Sequence, residues 1–211
     1  MSIVVLCAGG HARVIIEALR SRGIAAAALT DSDPARKGTV MSKVKIIGND
    51  DAVTAMPAAS TELANGLGNR ATRGSSGLAG RRGLFDRFRA LGYRFPVITH
   101  ATSVLASDAE LGVGAQVLAT AVVQPAAVIG RNVIVNTGAI VEHDCRVGDH
   151  SHIAPGAVLC GNVTVGALVH VGAGATVLNG VRIGDGAVVA AGAVVATNVP
   201  DGGFAGTEVP R

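Results

Sequence analysis

Residues 103–120 read SVLASD-AELGVG-AQVLAT, three consecutive six-residue units whose third members are Leu105, Leu111 and Val117. The frame continues without insertion or deletion to Asn198, sixteen hexads in all. The later third residues are Val123, Ile129, Val135, Val141, Val147, Ile153, Leu159, Val165, Val171, Val177, Ile183, Val189 and Val195. First positions hold only Ala, Val, Ser or Cys, and Gly recurs at the fourth or sixth. A period of six matches neither an amphipathic helix nor simple strand alternation. It fits a parallel β-helix in which three hexads form one triangular coil, so residues 18 apart stack. The aliphatic third residue points into the prism, the small first residue fits the corner, and glycine admits the turn. Ninety-six residues of such sequence make about five coils, and stacking them buries one continuous aliphatic column.

Composition agrees with a narrow core. The 211 residues are 49% hydrophobic but only 2% aromatic and 16% charged, with 29 glycines, against roughly 25% charged in an average domain. Abundant aliphatics exclude a disordered chain, and the glycines follow no collagen repeat. So few aromatics argue against a nucleic-acid stacking platform. Four of the five, Phe85, Phe88, Tyr93 and Phe95, lie at the junction between the halves. Cys7, Cys145 and Cys160 form no CxxC pair and no disulfide framework, which favours a reducing compartment. Met1 leads directly into an apolar strand without a signal-peptide pattern. Residues 150–181 lack Asp, Glu, Lys and Arg, but Gly, Asn, His, Thr and Pro interrupt them throughout. A spanning helix is a poor reading there, and a cytoplasmic protein is expected.

The net charge of +3 divides unevenly. Residues 1–96 hold 14 basic and 7 acidic side chains, and residues 97–211 hold 4 and 8. Seven arginines fall between Arg70 and Arg94. They read either as a solvated basic surface or as attraction to an anionic ligand such as a sugar nucleotide.

The first 96 residues read as a small α/β, Rossmann-like domain, and residues 97–211 as the β-helix domain. Ser2–Leu6 is a buried strand, followed by the turn Cys7-Ala8-Gly9-Gly10-His11. Ala12, Ile15, Ile16 and Leu19 then fall at helical spacing, and 24–29 reads as a second strand ending at Thr30-Asp31-Ser32-Asp33. Such a βαβ opening can seat an anion at the helix N-terminus. Ile46-Ile47-Gly48 and Leu63–Gly68 read as further short strands. Gly74–Gly83 reads as a flexible Gly/Ser loop, and Leu84–Leu91 as a short amphipathic helix.

The two parts together resemble the hexapeptide-repeat sugar acyltransferases, the family that includes sialic acid O-acetyltransferases and nucleotide-amino-sugar N-acetyltransferases. The resemblance covers nearly the whole chain. It is carried by AGGHARV at 8–14, TDSD at 30–33, GNRATR at 68–73, ITHAT at 98–102 and, most specifically, NTGAIVEHDC at 136–145. Cys7 stands where the family has the first glycine of its turn, and the ending 206–211 differs from the family's Gly-x-Pro-Ala. The resemblance implies a left-handed β-helix, a homotrimer with active sites between subunits, and acetyl-CoA as co-substrate without a metal. It also implies His143 as catalytic base with Asp144 as its acidic partner. His152 would contact acetyl-CoA or the acceptor, and Asn136 would shape the acceptor pocket. Gly9, Gly10 and His11 would meet a diphosphate or base, Asp31 or Asp33 the ribose or nucleobase, and Arg73 a phosphate.

The residues suit that chemistry. Acetyl transfer needs a base near its working pH, a donor for the developing oxyanion and a surface that aligns both substrates. His143 is a fifth-position residue whose ring can leave the prism, and Asp144 follows it, with Glu142 a competing partner. Gly161 lies 18 residues on, in the same register, where a backbone N–H can reach the thioester oxygen. His152 and His170 are also 18 apart and should stack. The expected activity is N-acetylation of the 4-amino group of a nucleotide-linked sugar, with O-acetylation of sialic acid or another sugar as the rival. Two further classes stay open: a non-catalytic structural β-helix, and a metal-dependent hydratase using His143, His150, His152 and His170. The spacing of those histidines does not match such sites.

Overall fold

The computed structural model describes residues 2–206. Its amino-terminal unit runs β1 (Ser2–Leu6), α1 (Gly10–Ser21), β2 (Ala26–Leu29), the hairpin β3 (Val40–Met41) and β4 (Val44–Lys45), the single turn α2 (Asp51–Thr54), β5 (Thr61–Asn65) and α3 (Ala79–Ala90). The sheet is parallel in the order β2-β1-β5. β1 is apolar from Ile3 to Leu6 because both of its faces are covered. Ile3 and Val5 pack with Ala12, Ile15, Ile16 and Leu19 of α1. Val4 and Leu6 pack with Leu63, Phe85, Phe88, Tyr93 and Phe95.

Three local expectations change. Ile46 makes only a single bridge to Leu29, and the strand lies just before it, where Ser42 and Lys43 at φ 49° and 63° close a two-residue hairpin. The fifth strand stops at Asn65 rather than Gly68. There Gly66 donates to the Leu6 carbonyl at 2.9 Å, and a Cβ on Gly66 would sit 2.5 Å from that oxygen. The 74–83 segment is no loop throughout: Thr72 and Ser75 pair across a tight turn, and α3 begins at Ala79. Gly80 and Gly83 are poor helix formers, but the burial of Arg81, Phe85 and Phe88 on one side overrides them.

From Ile98 the chain winds through three parallel faces. The first stacks Ile98–Thr99, Gln116–Val117, Ile134–Val135, His152–Ile153, His170–Val171, Val188–Val189 and Phe204–Ala205. The second stacks six two-residue strands from Val104–Leu105 to Val194–Val195, and the third five from Glu110–Leu111 to Arg182–Ile183. Registers differ by 18 from Ile98 to Val195, as in Ile140 opposite Val158, and by 16 where Phe204–Ala205 joins Val188–Val189. The strands extend on either side of the sixteen hexads, so the solenoid has about six turns rather than five. All third-position side chains from Val117 to Val195 are buried. Fourth-position glycines allow close backbone approach: a Cβ on Gly148 would lie 2.5 Å from the Gly166 carbonyl carbon. Sixth positions from Gly114 to Gly192 take the left-handed conformation, at Gly156 (φ 68°) as at Asp144 (φ 60°).

The first face carries the amino-terminal unit. Ile98, Leu118 and Ile134 join the α1 cluster. Beside them lies a buried polar node. His11 Nε2 is 2.8 Å from Gln116 Oε1, and Gln116 Nε2 donates to the Asn65 carbonyl at 2.9 Å. Asn65 Nδ2 donates to Asn132 Oδ1 at 3.2 Å, and Asn132 meets His150 Nδ1 at 3.0 Å. Burial, then the Arg81 charge, hold the His11 pKa down at about 4.

Gly148→Ala is expected to destabilise by about 3 kcal/mol or more through backbone collision. Gly156→Ala, with open space around its Cβ, should cost about 1 kcal/mol from the left-handed φ. Urea unfolding of both variants checks the order. The neutral His11 also predicts acid lability. Between 6.5 and about 4 the unfolded chain binds a proton on His11 that the folded chain does not. Stability should therefore fall as pH drops through that window and level off below it, by on the order of 3 kcal/mol from this residue. His11→Asn should flatten that limb in unfolding measured across the same pH range.

Candidate active site

His143 stands at the corner between the second and third faces, between Ile140–Val141 and Arg146–Val147. Its side chain is 58% exposed, and Nδ1 lies 2.8 Å from Asp144 Oδ2. The left-handed φ of Asp144 turns the carboxylate back onto the preceding side chain, in a conformation that Asp tolerates better than most residues. Glu142 makes no hydrogen bond to the ring among the described residues, so the geometry selects Asp144 as its partner. A carboxylate at Nδ1 holds the proton there and leaves the Nε2 lone pair outward. Gly161 is buried one coil on, directly against the ring: a Cβ on it would fall 2.6 Å from both Cε1 and Nε2 of His143. The Gly161 N–H has no protein acceptor among the described residues. An imidazole held in this way, beside a bare amide, can take a proton while the amide stabilises a nearby negative oxygen.

A second cluster occupies the first face. His152 Nδ1 lies 2.6 Å from Asn69 Oδ1, and its Nε2 lies 2.9 Å from Asn136 Nδ2. Burial, then the neighbouring His170, hold His152 well below its ordinary pKa. It is therefore neutral, donating from Nδ1 and accepting at Nε2. Asn69 Nδ2 reaches His170 Nδ1 at 3.0 Å and the Ser76 carbonyl at 2.7 Å. His152 and His170 stack edge to face at 5.1 Å, as their register requires. A cleft of about 610 Å³ opens beside them, lined also by Thr72, Arg73 and Phe204. Arg73 lies over the Phe204 ring at 5.6 Å, so it belongs to this cleft rather than to the glycine turn.

The third cluster surrounds the start of α1. Cys7 takes the left-handed conformation, φ 67°, that the family's glycine would adopt freely, and its N–H donates to Thr30 Oγ1 at 3.0 Å. Burial, then Asp50 and Asp31, push its thiol up to about 12, so it is no nucleophile. Gly9 and Gly10 are exposed, and a Cβ on either meets nothing within 4 Å. α1 has no side-chain cap and no acidic residue in its first turn, so its leading amides lie bare. His11, expected beside a diphosphate, turns its Nε2 to Gln116 instead. Asp31 accepts from the Asp33 N–H at 2.9 Å and pairs with Arg36, while Asp33 caps the next turn through Ala35 N–H at 2.9 Å. A cleft of about 660 Å³ opens beside Asp31.

One chain thus unites His143, Asp144 and Gly161, and separately Asn136 with His152. In a triangular coil the corner bearing His143 lies across the prism from the first face, so these two groups point apart. Asn69 is the member of the second cluster not singled out from sequence, while His170 stacks on His152 as its 18-residue spacing requires. The 68–73 motif and the 18-residue register were the available signals. Among the described residues no three His, Cys, Asp or Glu side chains converge as a metal site. Among the same residues no helix is long and apolar enough to cross a membrane.

Residues 2–76 match the family described as the PglD N-terminal domain, and 126–161 and 144–179 match the bacterial transferase hexapeptide of six repeats. No curated protein sequence matches the chain. Among solved structures, a histidine-to-alanine mutant of GDP-perosamine N-acetyltransferase from Caulobacter crescentus, in complex with CoA and GDP-perosamine, is 33% identical at a TM-score of 0.88, covering 97% of this chain and 92% of that one. The acetyltransferase domain of PglB from Neisseria gonorrhoeae, also solved with acetyl coenzyme A, is 31% identical at a TM-score of 0.86. That match covers 96% of this chain and 95% of the PglB domain. WeeI from Acinetobacter baumannii shares the fold at 23% identity and a TM-score of 0.79, over 97% and 95% of the two chains. With this likeness over almost its entire length, the chain belongs to the hexapeptide-repeat sugar acetyltransferases, which use acetyl-CoA as acetyl donor.

Proposed function

We propose that this protein transfers acetyl from acetyl-CoA to the 4-amino group of a nucleotide-linked sugar, with His143 as general base. The observation that carries the reading is the His143–Asp144 pair, solvent-facing and seated against Gly161. In the reaction His143 Nε2 takes the proton of the attacking amine. A new C–N bond forms at the thioester carbon, the C–S bond breaks, and the proton passes on to the departing thiolate. Asp144 keeps the other ring nitrogen protonated and stabilises the imidazolium. The Gly161 N–H faces the carbonyl oxygen that gains charge.

Residues 1–96 serve as the nucleotide-sugar domain and 97–211 as the acetyl-transfer domain. Support for the former is the bare amide turn at Gly9 and Gly10, placed at the carboxyl ends of parallel strands where the order β2-β1-β5 reverses. The neighbour solved with GDP-perosamine supports the same substrate class. His152 and Asn136, beside the cleft that holds Arg73, are assigned to the sugar and acetyl end of that ligand.

Because His143 points away from the first face, a second copy must bring its crevice to this corner. The outward residues of the second face include Val104 and Val194, 58% and 71% exposed, with Val122, Ile140, Val158 and, as the one polar member, Thr176 between them in register. Such an apolar stripe suits burial against another copy in a closed ring, and we assign a homotrimer.

His143→Ala is expected to lower kcat by about 10²–10⁴-fold with the fold retained. Thiol release from acetyl-CoA in the presence of nucleotide-linked amino sugars measures it. Turnover with hydroxyl acceptors alone would replace the amine reading by O-acetylation. Gly161→Ala should displace the ring and reduce kcat more than KM. Sedimentation should give a trimer, and a monomer at working concentration would overturn the shared-site assignment.

A further inference from the structure

Arg81 is the most deeply buried charge in the amino-terminal unit, with 0% of its surface exposed. Its Nη1 donates to the carbonyls of Asn65 and Leu67, each at 2.8 Å. Its Nε and Nη2 have no hydrogen-bond partner among the described residues, and no carboxylate pairs with it there. The two carbonyls belong to the segment that leaves β5. Gly66 presses this segment against the β1–α1 turn: a Cβ on it would lie 2.5 Å from the Leu6 oxygen and 2.9 Å from Ala12 Cβ. The guanidinium therefore lies under the seam between the two strand ends, and its charge is felt by Cys7 on one side and His11 on the other. Burial lowers even the arginine pKa, to about 9.

An unpaired buried cation destabilises the folded state, and a well-packed apolar residue would serve a purely structural role better. What the charge adds is a positive field at the place where the unacidified start of α1 and the bare Gly9 and Gly10 amides open to solvent. Electrostatic interactions are strengthened by the low-dielectric surroundings. We propose that Arg81 is the positioning residue of the nucleotide crevice, holding its floor through Asn65 and Leu67 and supplying from beneath the charge that draws in a nucleoside diphosphate. The inference rests on the nucleotide-sugar reading above. It separates Arg81 from the other arginines between Arg70 and Arg94, such as Arg87, which pairs with Asp51 at the surface.

The test compares wild type, Arg81→Lys and Arg81→Gln in calorimetric titrations with GDP and with UDP, and in steady-state kinetics. Arg81→Gln keeps an amide donor and loses the charge, so it should weaken nucleoside diphosphate binding by about tenfold or more. Burial that lowers the arginine pKa to about 9 neutralises a lysine amine more readily, so Arg81→Lys is titrated beside wild type and Arg81→Gln at about pH 6, where its remaining charge should make its loss the smaller of the two. KM for acetyl-CoA should be unchanged in both. If the glutamine variant does not fold, Arg81→Met takes its place. Unaltered binding in the neutral variant, or equal losses in the lysine and neutral variants, overturns the role of charge. Wild-type protein that binds neither nucleotide overturns the nucleotide reading itself, and this inference with it.

Discussion

Each coil of the solenoid must hydrogen-bond to the next, and that spacing constrains everything else. The Ile140 N–H reaches the Ala157 carbonyl at 2.8 Å, and the same link repeats around all three faces. Strands so joined lie about 4.8 Å apart, so inward side chains must stack directly upon their counterparts. Val, Ile and Leu fill such a column, while rings would overpack it. The aromatics are accordingly expelled to α3 and the junction, where Phe85, Phe88, Tyr93 and Phe95 form a separate cluster. The same constraint builds the candidate active site. The corner must take a left-handed residue at its sixth position, and Asp144 fills that role while presenting its carboxylate to His143.

The second organising feature is the polar node between the two units. His11, Asn65, Arg81, Gln116, Asn132 and His150 come from α1, β5, α3, the first face and the corner between the third face and the first, and they interlock through hydrogen bonds or a shared field. Buried polar groups of this kind tolerate one arrangement only, because any slip leaves several unsatisfied. The node thereby fixes where the glycine turn lies relative to His152 and Asn69. It also places the cleft beside His152 across the prism from His143.

Legibility in the sequence followed periodicity. Gly161 could be placed against His143, and His170 against His152, because a strict 18-residue repeat converts sequence separation into contact. The start of α3 was hidden because Gly80 and Gly83 oppose a helix locally and only the buried side of Arg81, Phe85 and Phe88 favours it. The partner of His11 was hidden for a related reason. Its partner Gln116 lies 105 residues away in another unit, and no local pattern joins them.

The sequence alone therefore determined the coil, its inward column and the neighbours of His143, since all of these repeat with the backbone's own period. It also located the glycine turn before α1, through the helical spacing that follows. Only the tertiary structure decided which side chains meet between the two units: His11 on Gln116, Asn69 bridging His152 and His170, and Arg81 sealed beneath the crevice. Those contacts arise from the docking of two separate cores, whose mutual orientation is set by shape and hydrogen-bond satisfaction rather than by any repeat along the chain.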